Sequence, residues 1–245
     1  TPEKARELAQ KYYGSIPPKA DALRKPRPQE PEQRSPRRME RADPRVAEPV
    51  LTRTVLVPER NPGDQKTAAA LTVLAELLGG SSQTSVLARE LMLTGKALYV
   101  GTAYDGLTVD PTTFTIAMTP APGVSNADAE AALDAALQKF RKDGPDPAQL
   151  ERVKTQVRAA RVYDRDSAHG RAYDYGQGLS VGLRIEDVND WPDILAAVTP
   201  DDIRAAADLV LGSKAEVTGW LLPAEAAAEA PADATTEAAN TGESK

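Results

Sequence analysis

Eight prolines lie between Pro17 and Pro49, at positions 17, 18, 26, 28, 31, 36, 44 and 49. Each fixes φ and removes a backbone donor, so neither helix nor hydrogen-bonded sheet is expected, and the segment should run extended in polyproline-like form. Residues 17–49 therefore read as an interdomain linker. Arg24, Lys25, Arg27, Arg34, Arg37, Arg38 and Arg41 also suit an SH3 ligand or a nucleic-acid arm. Glu30, Glu32, Glu40 and Asp43 dilute that charge and no aromatic residue is interleaved, which favours the linker. Ahead of it, residues 1–16 read as a helix already under way at Thr1, with Leu8 and Tyr12 on one face and Gly14 as its stop. They are expected to be the end of a preceding, mostly missing domain.

The block 50–223 has the pattern of one α+β domain. Leu51, Val55 and Val57, spaced by Thr52 and Thr54, predict a strand ending at Pro58. Asp64 can cap a helix carrying Leu71, Leu74, Leu77 and Leu78, which Gly79 and Gly80 would end in a left-handed turn. A short helix over 84–93 follows. The β-branched and aromatic runs 98–104 and 112–118 should then pair as an antiparallel hairpin. Beyond Pro122, helices are expected from Ser125 (Leu133, Leu137, Phe140), from Asp146-Pro147 (Leu150, Val153, Val157), over 167–183 (Ala172, Tyr175, Leu179) and from Thr199-Pro200 (Ile203, Ala206). A strand from Ala215 to Leu222 closes the block. The order β, α, α, β, β, four helical segments, β predicts helices packed on one face of an antiparallel or mixed sheet. Residues 224–245 carry nine alanines and five acidic residues without an apolar stripe, and read as a solvated, disordered tail.

Composition excludes several chemistries. With no cysteine and a single histidine, His169, this chain by itself cannot build thiolate zinc, iron–sulfur or two-imidazole zinc sites. A net charge of −6 argues against nucleic acid. The longest apolar run, near Ala68–Leu78, is broken by Thr72 and Glu76, so no membrane span is expected.

Ser167 and His169, with Asp164 and Asp166, raise a serine hydrolase. Two residues apart on a helix, Ser167 and His169 point to different sides, and no G-x-S-x-G elbow surrounds the serine. An N-cap at Asp166 or Ser167 explains the same letters. The glycines of Gly79-Gly80-Ser81-Ser82 follow a helix, whereas a phosphate loop precedes one. Asp201 with Asp202, and Asp187 with Asp190, read as partners of helix dipoles. Trp191 and Trp220 read as core or interface anchors.

Three stretches in order, 69–82 (AALTVLAELLGGSS), 86–91 (VLAREL) and 98–104 (LYVGTAY), resemble the C-terminal domain of insulinase-like zinc peptidases, the pitrilysin and mitochondrial processing peptidase group. The runs 144–154 (GPDPAQLERVK), 160–167 (ARVYDRDS) and 220–223 (WLLP) resemble bacterial members, so the likeness covers about Leu51 to Pro223. Tyr12-Tyr-Gly-Ser-Ile-Pro-Pro resembles the end of the preceding domain.

The resemblance implies a mitochondrial processing peptidase-like metallohydrolase fold in which an upstream domain carries an inverted HxxEH zinc motif. Zinc would then belong to the full-length protein or a partner chain, and no catalytic or metal-binding residue to this one. Its expected role is to enclose an extended peptide, with the zinc-bearing domain in cis or in a partner chain. A non-catalytic partner or scaffold subunit is the alternative. The family's second domain often holds substrate with an arginine and, seven residues on, a tyrosine. Tyr99 falls in the matching strand, Met92 stands seven residues before it, and Arg89 is the nearby arginine. Tyr99 and Arg89 are thus the substrate-binding candidates. A periplasmic location and a possible dimer complete the expectations.

Overall fold

The computed structural model describes residues 1–17, 31, 33–165 and 167–224. The linker expectation for 18–30 and 32, the cap alternative at Asp166, and the tail expectation for 225–245 lie outside the described residues. The chain divides into two units, Thr1–Glu32 and Gln33–Lys245. In the first, α1 (Pro2–Tyr12) is capped by Thr1 and has no buried residue, leaving Leu8 and Tyr12 exposed.

The second unit contains β1 (Arg37–Asp43), β2 (Val50–Val57), α2 (Lys66–Gly79), a π-helical turn (Ala88–Met92), β3 (Ala97–Tyr104), β4 (Thr112–Pro120), α3 (Asn126–Asp143), α4 (Pro147–Arg165), α5 (Ala168–Ser180), α6 (Ile185–Ala196), α7 (Pro200–Leu211) and β5 (Glu216–Pro223). Five strands form one mixed sheet in the order β1-β5-β2-β4-β3. Only the β1–β5 pair is parallel. The α+β architecture is the expected one.

Alternation decides which face is covered. Leu51, Val55 and Val57 of β2, Phe114, Ile116 and Met118 of β4, and Trp220 of β5 are buried on one side. Thr52, Thr54, Thr115 and Thr119 lie on the other, only half-buried. Against the apolar side packs α2, buried at Ala68–Leu71, Val73–Ala75, Leu77 and Leu78. It touches β3, β4, α4, α6 and α7.

Several expectations shift. The linker was expected to hold no sheet, yet Arg37–Asp43 is a strand. Its seven residues run between Pro36 and Pro44 without a proline, so every backbone donor survives to pair with β5. The helix expected over 84–93 narrows to a π-helical turn closed by Leu93 N–H to Ala88 O at 3.0 Å. Gly80 is right-handed, with φ −68°, so the left-handed stop after α2 is absent. Gly79 answers to packing instead: a Cβ there would sit 2.5 Å from Thr102 N and 2.9 Å from Gly101 C. Helix α6 is a fifth helical segment where four were expected. Of the α5 stripe, Ala172 and Leu179 are exposed, and the helix instead turns Gly178 onto Val188.

Caps fall where the residue types demand. Asp146 Oδ1 accepts from Ala148 N–H at 3.0 Å, Ser125 Oγ from Asp128 N–H at 3.1 Å, and Thr199 forms a capping box with Asp202. Ser167 Oγ accepts from Gly170 N–H at 3.0 Å as the N-cap of α5, so its hydroxyl is used in structure. His169 is exposed.

Gly79→Ala is expected to lower stability by about 1–3 kcal/mol, because two of its neighbours at β3, Thr102 N and Gly101 C, are backbone and cannot turn aside. A urea titration against the parent checks it; an unchanged midpoint would reject the close α2–β3 approach.

Candidate functional site

Strand β3 is an edge of the sheet, paired only with β4. Between Ala97 and Tyr99 the register slips by one residue, a β-bulge at Leu98. That slip sets Tyr99 opposite Thr119 on the uncovered face, while the next residue, Val100, points into the core opposite Met118. Tyr99 is 53% exposed and its ring lies over Gly101, which has no side chain to displace it.

Arg89 lies in the π-helical turn, which packs on β3 and α3. It donates from Nη2 to Gln149 Oε1 at 2.8 Å. Gln149 is buried at the start of α4 and donates to Thr84 O at 3.0 Å. Arg89 is thereby tied to the helical layer and Tyr99 to the bare face. No hydrogen bond joins them, so the two sequence candidates are placed separately.

The other edge is held by charge. Strand β2 carries Arg53 on its core-facing side, 9% exposed. Its Nη1 donates to Asp134 Oδ1 at 2.6 Å, its Nη2 is 3.5 Å from Glu130 Oε1, and its Nε is 3.1 Å from Glu216 Oε1. The last contact lies outside hydrogen-bonding geometry and leaves the buried Nε–H without an acceptor. Glu130 of α3 is clasped by Arg38 of β1 through two bonds of 2.7 and 2.9 Å, and accepts Trp220 Nε1–H at 2.9 Å. The Arg38 hydrogen bonds, helped by that of Trp220, hold the Glu130 carboxyl below its ordinary value of 4.5 against the opposing cost of burial.

A third polar cluster pins the β2–α2 loop. Arg60 is buried with its guanidinium 3.9 Å from the Trp191 ring centroid, bonds to Gln65, and donates from Nη2 to Asp187 O at 2.6 Å. Asp187 accepts Arg184 N–H at 2.8 Å and Gly63 N–H at 2.9 Å. The Arg184 side chain, then these amides, hold its carboxyl well below the usual range. Asp187 thus serves a helix start, as expected from the sequence, and also a loop from elsewhere in the chain. Trp191 and Trp220 are core anchors.

The family model described as the peptidase M16 inactive domain matches residues 1–157. The chain belongs to this family. No curated protein matches the sequence significantly. Among solved structures, this M16 domain is similar to a protease from Helicobacter pylori, at 20% identity and TM-score 0.81 over 91% of this chain and 53% of that one. It is also similar to the first half of the periplasmic protease PqqL from Escherichia coli, at 13% identity and TM-score 0.75 over 94% of this chain and 50% of that one. A third is the inactive peptidase domain of a candidate zinc protease from Bordetella parapertussis, at 18% identity and TM-score 0.64 over 78% of this chain and 98% of that one. Identities this low carry likeness of fold alone. The chain spans about half the length of the H. pylori protease.

The M16 domain's own residues do not fit a zinc centre. Its one histidine is exposed, and among the described residues no group of three or more His, Asp or Glu side chains is placed to hold a metal. Among the same residues no helix is long and apolar enough to cross a membrane.

The Glu130 cluster sets an acid-sensitive step. A carboxyl whose folded-state pKa is lowered contributes stability that is complete above its unfolded pKa and is lost as pH falls through the folded value. Stability should therefore fall below about pH 4.5. Glu130→Gln should weaken that dependence and lower stability at neutral pH by roughly 2 kcal/mol, the scale of hydrogen bonds to charged groups. Urea titrations of both proteins across the acid range check this.

Proposed function

We propose that this chain is the non-metal half of a zinc endopeptidase, presenting the edge of β3 and the bare sheet face to an extended peptide. The observation that carries the reading is Tyr99, an exposed aromatic on the uncovered face of an edge strand that is paired on one side only. An edge strand offers free backbone donors and acceptors, so a peptide can add as a further strand whatever its sequence. Tyr99 would then lie beside the docked chain and hold it by ring contact and its hydroxyl. Arg89 reaches the site in this reading only if it leaves Gln149, and is the weaker of the two substrate-binding residues.

Because this chain's residues do not suit zinc, the metal is assigned to an N-terminal domain, in cis or on a partner chain, where it would polarise the scissile carbonyl. The periplasm is the compartment we assign, in line with the similarity to a periplasmic protease. The second reading, a non-catalytic partner subunit, is favoured by the family's description as an inactive domain.

In an assembly with a zinc-bearing domain, Tyr99→Phe and Arg89→Ala should each lower kcat/KM toward a peptide, Tyr99→Phe by roughly tenfold, or about 1.4 kcal/mol. Thermal stability should stay at the parent value for Tyr99→Phe and fall for Arg89→Ala, which leaves the buried Gln149 Oε1 without its donor. Unchanged turnover removes the residue from the site, and an assembly that holds no zinc hands the function to the partner-subunit reading. Chelation should abolish turnover of the assembly while leaving the melting temperature of this chain alone unaltered.

A further inference from the structure

Gly101 of β3 lies on the face of the sheet that the helices leave bare, opposite Ala117 of β4. Its neighbours on that face, Tyr99 and Ala103, are exposed, yet Gly101 itself is buried. The cover comes from a single side chain. A Cβ at Gly101 would sit 3.0 Å from Tyr99 Cζ and against its hydroxyl oxygen, and the three heavy atoms nearest to it all belong to Tyr99. The Tyr99 ring is therefore laid along β3, its hydroxyl end resting on the backbone two residues further on, about 6–7 Å along the strand.

Nothing else accounts for the glycine. Its φ is not positive, so the backbone there is one that any residue adopts. Inside a strand glycine is disfavoured, since it offers nothing to pack, and such a position marks a close approach by another group. On the helical side α2 backs the strand: Thr102 Oγ1 donates to Ala75 O at 2.6 Å, and Gly79 lies against the Gly101 backbone. A Cβ at Gly101 would point the other way, onto the bare face beside Tyr99. The Tyr99 hydroxyl makes no hydrogen bond among the described residues, which leaves it available to a ligand.

We propose that Gly101 is a positioning residue of the peptide site, a seat that fixes where the Tyr99 hydroxyl stands. This rests on the reading of β3 as a peptide-binding edge and adds to it the address of the contact. A peptide that joins the edge pairs one of its residues with Gly101. The side chain of that residue on the bare face starts roughly 5 Å across from the place of the missing Cβ, beside the hydroxyl. The hydroxyl then serves that residue and not the one opposite Tyr99. A methyl group at position 101 lifts the end of the ring off the strand and takes the hydroxyl from that place, while the fold is left intact.

The test compares Gly101→Ala, Tyr99→Phe and the double variant in an assembly with a zinc-bearing domain, through kcat and KM toward a peptide. Gly101→Ala should raise KM with kcat near the parent value, lowering kcat/KM by roughly tenfold, as Tyr99→Phe does. Because both changes remove one contact, the double variant should lose about tenfold and not the hundredfold product. The melting temperature of Gly101→Ala should not fall below that of the parent, since alanine suits a strand better than glycine. In the full chain alone, NMR should show a nuclear Overhauser effect between the Tyr99 ring protons and the Gly101 α-protons. Losses that multiply, an unchanged Gly101→Ala beside a weakened Tyr99→Phe, or no such Overhauser effect overturns the seat and leaves the edge reading standing. A Gly101→Ala variant that melts lower or does not fold also overturns it, because another group then requires the glycine. No loss in Tyr99→Phe, or no turnover by the assembly, removes the edge reading and the seat with it.

Discussion

Helix α2 buries side chains around nearly its whole circumference, and the arrangement of its neighbours follows from that requirement. Past its first turn only Glu76 is exposed, while nine of its side chains are buried. An amphipathic helix needs one partner; this one has to be enclosed. The sheet covers it from below, through β3 and β4, and α4, α6 and α7 close around it. The closeness of that enclosure shows at its C-terminal end, where Thr102 Oγ1 donates to Ala75 O at 2.6 Å and no Cβ is tolerated at Gly79. Removing one of these side chains, such as Leu74, would cost about 2–5 kcal/mol, a large share of a domain's net stability.

With the helices committed to one face, the other face of the sheet is left bare, and the two edges acquire different characters. At the β1 edge the interactions are ionic: Arg38 reaches Glu130 on α3, which also receives the Trp220 indole of β5. These bonds fasten a highly exposed strand to the helical layer. At the β3 edge the bulge at Leu98 redirects the alternation, so Tyr99 faces solvent and Val100 the core. A bulge is a common means of re-aiming a side chain at a strand edge. The β1 edge therefore serves stability and the β3 edge exposure.

Legibility in the sequence varied with the range of the interaction. The hairpin of β3 and β4, the caps at Ser125, Asp146 and Thr199, and the apolar stripes of α2 and α3 rest on neighbours within a few residues, and these were readable. Strand β1 was not, because its reason is β5, nearly two hundred residues away. Helix α6 went uncounted: Pro192 interrupts its interior, and its start is organised by Asp187 bonding to a loop from Gly63. Arg53 left a signal that could have been used, since the alternation of Leu51, Val55 and Val57 places position 53 on the buried face. A charge at a core-facing strand position demands partners, and here those partners come from α3 and β5. Tyr99 was identified from resemblance, but its exposure depends on a bulge that the letters do not announce.

By itself the sequence determined that this is an α+β domain with an apolar central helix, one histidine and no cysteine, because local periodicity and composition act without reference to the rest of the chain. It also carried the resemblance to the M16 family. Only the tertiary structure decided that a proline-flanked arginine strand joins the sheet, that Tyr99 and Arg89 occupy different surroundings, and that Arg53 is buried against carboxylates of α3 and β5. Those outcomes depend on which distant residues share a buried volume, where unpaired charge and unmatched backbone cost most.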